Sequence, residues 1–543
     1  MTQITTNEDA TAARYALECA MLAMPDCSGW QLFAGENLLA TIQSANYELS
    51  VEWGKLIFAW WDDQRSQSWR VIAYQIDDAE LLLQVTRGLG RELATITLRN
   101  EVKWRERLLI EDLELPERRR LYPQTLARLL AVRFSQIKLQ SGMLTETPAV
   151  IDAATTAVTA AAKRYARLRW KLGGETILAV GVGEAESQTD IDGVIAAGLV
   201  WLANFNRQRE ARGQFNEQAR RLWFCLPGAA SQTAIERLAL LHGSHIGARL
   251  ECFEVDERHE SLRPVLLATQ DELLNTHPHE LDWPEAIPAT NVWRERILRL
   301  ASGLIEVRQL ADRESYTING LEFARLSRGQ DASLTFGIAG GIAGLRDGNQ
   351  VNNFSVLSEA NFPRLERLVQ ETIKYRSAQT PDRRHPLYRL REEAWLESLL
   401  RRDIRALDAG FDDRFVYSQI PAWRGEERSV IDLLTVNHEA RLAVIEIKAT
   451  EDAQLPMQGL DYWLRVEQAR LRREFARRGL FAGIELANQS PLLYLVAPRL
   501  RFHRSFATVA RCLSPQIEAY QVGLNASWRD GVRVRSVERV NQQ

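Results

Sequence analysis

Along the last third of the chain, apolar runs alternate in period between helix-like and strand-like spacing. Residues 391–407 repeat their apolar positions every third or fourth residue and predict a helix. Residues 415–420, 429–436 and 441–449 read as strands, 457–478 as a long helix and 492–496 as a buried strand. A shorter helix is expected at 504–513, with strands at 517–522 and 532–537. The order is helix, three strands, helix, strand.

Upstream the pattern is more mixed. Residues 55–61 and 69–75 flank a polar turn at 62–68 and predict a hairpin, and an amphipathic helix is expected over 121–140. Residues 160–260 alternate strands (176–182, 222–226, 249–255) with helices (192–205, with Asp190 as cap, and 231–242). Residues 306–327 read as strands and 361–377 as a helix. A polar, proline-flanked stretch at 379–386 marks a boundary. The fold class expected is mixed α/β and multidomain: a β-rich unit over 1–150, a small α/β unit over 151–260, a mixed connector over 261–380 and an αβββαβ domain over 381–543.

Composition narrows the class. The 543 residues are 45% hydrophobic and 26% charged, which excludes a disordered, collagen-like or disulfide-dense chain. The five cysteines, Cys19, Cys27, Cys225, Cys252 and Cys512, form no CxxC pair, so no zinc module is legible. No signal segment and no membrane-spanning stretch is read, and a cytoplasmic protein with no membrane partner is expected. Charge is uneven: residues 381–543 hold 26 Lys and Arg against 22 Asp and Glu, whereas residues 1–380 hold 42 against 49. A polyanion partner for the positive part fits this, as does ordinary surface scatter. Lysine is scarce, with Lys448 the only one after Lys374.

Chemistry concentrates around that lysine. In a strand over 441–449, Leu442, Val444, Glu446 and Lys448 share one face. Burying a lone carboxylate or amine is costly, so a partner or a metal is implied. Asp432 interrupts the preceding apolar strand, and a turn centred on Glu439 sets it across from Glu446. Two facing carboxylates call for a cation between them, and oxygen ligands suit a divalent one. Glu397 lies on the same helix face as Leu400 and Ile404, with Glu393 one turn earlier as its rival. Gln458 and Tyr462 sit one turn apart, followed by Arg465, Arg472 and Arg473, which read either as a phosphodiester track or as a solvated basic face. Glu101-Val-Lys103 repeats the Glu-x-Lys spacing without a lone strand Asp before it, so the conjunction, not the tripeptide, carries the signal. His242, His245, His277 and His279 read as loop histidines, and Gly181-Val-Gly183 and the glycine-rich 337–344 as packing or loop elements.

Glu397, Asp432, Glu446-Ile447-Lys448 and Gln458-x-x-x-Tyr462 together resemble the PD-(D/E)XK nuclease superfamily, in its RecB-like branch, from Leu387 onward. Ile431 stands where the motif name has proline. The resemblance implies a Mg²⁺- or Mn²⁺-dependent nuclease hydrolysing phosphodiesters, with DNA the expected substrate. It implies Asp432, Glu446, Glu397 and the Ile447 carbonyl as metal ligands. Lys448 would orient water or stabilise the phosphorane, and Gln458 and Tyr462 would place the strand. The upstream units would recognise or regulate, and a homodimer would supply two sites for a duplex. Two alternatives stand beside this: an inert nucleic-acid-binding protein, and a ligand sensor whose α/β unit gates the nuclease.

Overall fold

The computed structural model describes the chain apart from residues 1, 23–29, 36, 43–45, 63–64, 77–79, 88–91, 101–113, 135–137, 140–163, 173, 229–230, 277–280, 282–291, 311–312, 328–332, 339–353, 425–426 and 543. The described residues build four sheets in a mixed α/β architecture. The first is eight-stranded and antiparallel and includes the expected hairpin, Lys55–Trp61 against Ser66–Ile76. Its alternation is period two: Leu56, Phe58 and Trp60 point into a core closed by Ala10, Ala13 and Leu17 of the helix Asn7–Leu22. Among the described residues that core contains none beyond Leu98.

The helix expected over 121–140 runs over Leu115–Arg133, starting earlier because a proline suits its first turn. It leaves the first sheet and packs Tyr122, Leu126 and Leu130 on Trp170, Trp223 and Phe253 of the second. In that six-stranded sheet Glu175–Gly181, Ala219–Pro227 and Arg249–Asp256 run parallel. The helix Val194–Ala211 covers the opposite face. Asp190 is not its cap: Ser187 caps a short preceding helix, Gln188–Asp192, by accepting the Asp190 N–H. The third sheet, from Ile305–Gln309 to Ser355–Val356, is antiparallel and shares a core with the helices Val292–Leu300 and Phe362–Tyr375. Its tight turn is Asn319-Gly320, both residues at positive φ, 46° and 74°.

The fourth sheet contains β1 (Tyr417–Arg424), β2 (Glu427–Val436), β3 (Leu442–Ile447), β4 (Leu492–Pro498), β5 (Ala519–Leu524) and β6 (Val534–Arg539) in that spatial order. The first three are antiparallel, β3 to β5 are parallel, and β6 turns back. Helix α1 (Glu392–Arg402) lays Trp395, Leu396 and Leu400 on Leu433, Ile445 and Ile447. Helix α2 (Leu455–Leu471) covers the other face. Of its 17 residues 14 are buried, because its outer side meets the second sheet's helices. Leu460 and Trp463 therefore share one continuous core with Val180, Leu199 and Phe224. The helix expected over 457–478 ends at Leu471, where Arg473 takes φ 54° and a separate turn, Glu474–Arg477, begins. No helix among the described residues is long and apolar enough to cross a membrane.

Candidate active site

The β2–β3 ladder pairs Val436 with Leu442 through to Leu433 with Ile445, so the next step sets Asp432 across from Glu446. There the backbone pairing stops. The Ile447 N–H donates instead to Asp432 Oδ2 at 2.9 Å. On the other flank the β1–β2 ladder omits the Gln419–Asp432 position, and Gln419 has φ 53°. A left-handed non-glycine conformation stores about 1–3 kcal/mol and persists where its surroundings impose it. Asp432 thus sits at a break in the sheet, with its carboxylate taking a donor that a carbonyl would otherwise receive.

Glu446 and Lys448 close the cluster. Lys448 Nζ donates to Glu446 Oε1 at 3.0 Å and stands 4.0 Å from Glu393 Oε2, while its own N–H donates to the Val496 carbonyl of β4 at 2.9 Å. Burial drives the Glu446 carboxyl well above the usual range, and the facing Asp432 drives it further. Burial also raises Asp432, to about 6, although Lys448 opposes the shift. Burial alone would lower Lys448; the summed field of Glu446, Glu393 and Asp432 outweighs it and holds the ammonium charged.

These residues fit a hard divalent cation. Glu446 Oε2 is buried and receives no hydrogen bond. A carboxylate pair with such an orphaned oxygen matches the donor chemistry of Mg²⁺ or Mn²⁺. Among the described residues no three His, Cys, Asp or Glu side chains are set to hold a metal unaided. A cation here would draw on carbonyl or water oxygens as well.

The two helix acids divide differently from the expectation for Glu397. Its carboxylate turns to Arg308 of the third sheet, at 2.7 Å, and is 2% exposed. Burial raises it to about 7, with Arg308 opposing and Asp432 adding to the rise. Glu393 is the acid that faces Lys448. Arg308 and its neighbour Glu306, which binds Ser398, Arg401 and Arg402, carry no local sequence signal, because they come from a different sheet.

The arginines of α2 correct the track reading. Arg465 is buried and pairs with Glu236 at 2.6 Å, and Arg472 bonds Glu474 at 2.9 Å. The Arg465 pair joins two units and the Arg472 pair is local to its own turn, so neither lines a solvated groove; Arg473 is exposed. Gln458 is half-buried, and its Oε1 is enclosed and takes no hydrogen bond; Tyr462 is buried on the same helix. His245 bonds the Arg511 carbonyl and packs on His242, as loop histidines do. A Cβ at Gly181 would lie 2.6 Å from Leu126, so that glycine admits the helix Leu115–Arg133. Glu101–Lys103, His277, His279 and residues 339–344 lie outside the described residues.

Comparison with protein-family models, with curated proteins and with solved structures finds no match for this chain.

Proposed function

We propose that the C-terminal unit is a divalent-metal-dependent nuclease of the PD-(D/E)XK type that hydrolyses phosphodiesters of nucleic acid, most simply DNA. The observation that carries this reading is the convergence of Asp432, Glu446 and Lys448 at a break in one sheet, with a buried, donor-less oxygen on Glu446. A structural ion pair would need no second buried carboxylate, since one acid suffices to neutralise one lysine.

When bound at Asp432, Glu446 and the Ile447 carbonyl, Mg²⁺ or Mn²⁺ supplies Lewis acidity and an acidified water. Lys448 is charged and held beside Glu446, so its role is electrostatic: it faces the phosphoryl oxygens where negative charge grows. Glu393, 4.0 Å from that ammonium, keeps it from swinging away. The Asp432 carboxylate is oriented by the Ile447 N–H before any substrate arrives.

Incubation of supercoiled plasmid and of labelled oligonucleotides with the protein in Mg²⁺, Mn²⁺ or EDTA tests the proposal. Cleavage that needs metal and vanishes in Glu446→Ala is expected. Metal-dependent cutting retained by that variant removes the assignment.

A further inference from the structure

With Arg465 and Arg472 committed to internal pairs, a phosphodiester chain at the candidate site needs a further cationic surface. The loop after β4 provides one. β3 and β4 run parallel, with Ile447 beside Val496, so the segment following Pro498 leaves the sheet at the same edge as Lys448 and one strand over. Its first turn, Arg499–Arg501, buries none of its residues, and Leu500 is 81% exposed. Arg499, Arg501 and Arg504 are all exposed, and none forms an ion pair with a described carboxylate. The loop is nevertheless held. The Arg499 stem lies on Gly523, where a Cβ would meet it at 3.2 Å. Phe502 packs on Phe506 at 4.7 Å, and His503 Nδ1 contacts Ser505 Oγ at 2.6 Å. His503 also lies within the field of Glu451 and Asp452, which follow Lys448 in the chain. The basic loop and the candidate site thus border one another.

We infer that Arg499, Arg501 and Arg504 form the phosphate-contacting rim that seats a nucleic-acid backbone against Lys448. This rests on the nuclease reading for what the rim serves, but the binding itself can be measured without cleavage. Three exposed guanidiniums on one loop, the first with its stem packed on Gly523, suit phosphate oxygens, which accept two parallel N–H bonds from each.

The test uses the full-length protein with Arg499→Ala/Arg501→Ala/Arg504→Ala, a lysine version of the same triple, and Arg207→Ala/Arg212→Ala/Arg220→Ala as a control of equal charge loss on another unit. Binding to a fluorescent 30-base-pair duplex and to its single strand is followed by anisotropy in EDTA over a salt series. The rim triple should bind roughly tenfold or more weakly, and its log K versus log salt slope should fall by about 2–3. The lysine triple should recover most binding, and the control should bind as the parent does. Equal binding by parent and rim triple overturns the inference while leaving the nuclease proposal intact. Loss of DNA binding in the triple from a parent that binds but never cuts supports the rim and sinks the nuclease. Parent binding confined to anionic vesicles of phosphatidylcholine and phosphatidylserine, with none to nucleic acid, overturns both.

Discussion

Asp432, Glu446 and Glu397 all hold protons above the pH at which exposed carboxyls release them, chiefly because burial penalises their charged forms. An acid whose folded-state value is raised binds more protons folded than unfolded, so its contribution to stability declines as pH rises through the window. For Asp432 that window runs from 3.8 to about 6, and for Glu397 from 4.5 to about 7. The metal-free protein should therefore lose stability as pH rises from about 4 to about 7. On the proposed reading, a bound divalent cation would replace the protons on Asp432 and Glu446. Thermal melts with Mn²⁺ against EDTA should show a larger metal-induced rise at pH 8 than at pH 5.5, and no rise in Glu446→Ala. An equal shift at both pH values would remove the carboxylates as the binding group. Lys448→Ala should lower cleavage by about 10²-fold or more, in line with removal of a transition-state donor, and retain the metal-induced shift.

Between elements, charge links decide how the site is held. Arg308 reaches from the third sheet to Glu397 on α1, and the Asn319-Gly320 turn lies against the first turn of that helix. A Cβ at Gly320 would fall 1.9 Å from the Ala394 carbonyl oxygen, at a φ of 74° that side chains avoid. Arg308→Ala would strand a buried carboxylate and should cost about 3–5 kcal/mol, read by urea unfolding. Arg308→Met with Glu397→Leu should recover much of that loss. If the single variant is as stable as the parent, the pair is not what fastens α1. On the opposite face Arg237 forms a bidentate pair with Asp461, both oxygens at 2.8–2.9 Å, and also binds the Asp192 carbonyl. That clamp ties the small α/β unit to the helix bearing Gln458 and Tyr462.

Across the whole molecule, the hydrophobic clusters do not follow the expected boundaries one for one. Among the described residues the first sheet's core ends at Leu98, whereas the second and fourth sheets share one core through α2. A fragment of residues 381–543 alone would expose the outer face of α2, including Asp461, Arg465 and Gln468, whose partners lie upstream. Expressed alone, it should aggregate or melt without cooperativity in scanning calorimetry, while residues 114–543, which keep the helix Leu115–Arg133 on the second sheet, should melt as a unit. A cooperative melt of the short fragment would show that the shared core is dispensable.

Local pattern was enough for β2, β3 and their turn, since a single polar residue in an apolar strand and a short polar link set the register by period two alone. The Asp432–Glu446 opposition and the Lys448 placement follow from that arithmetic. The start of the helix at Leu115, expected at 121, and the Asn319-Gly320 turn were not read from the sequence, although a proline and an Asn-Gly pair mark them. The partners of Glu397 and Arg465 carry no such mark. Helical spacing tells which side of a helix a residue occupies, and it is silent on which distant strand or helix arrives there. Arg308 and Glu236 come from elsewhere in the chain and win those contacts because a buried charge takes whatever counter-charge the packing brings near. Periodicity thus specified the strands, their register and the acid–lysine cluster, and long-range packing alone assigned the helix acids and arginines their partners.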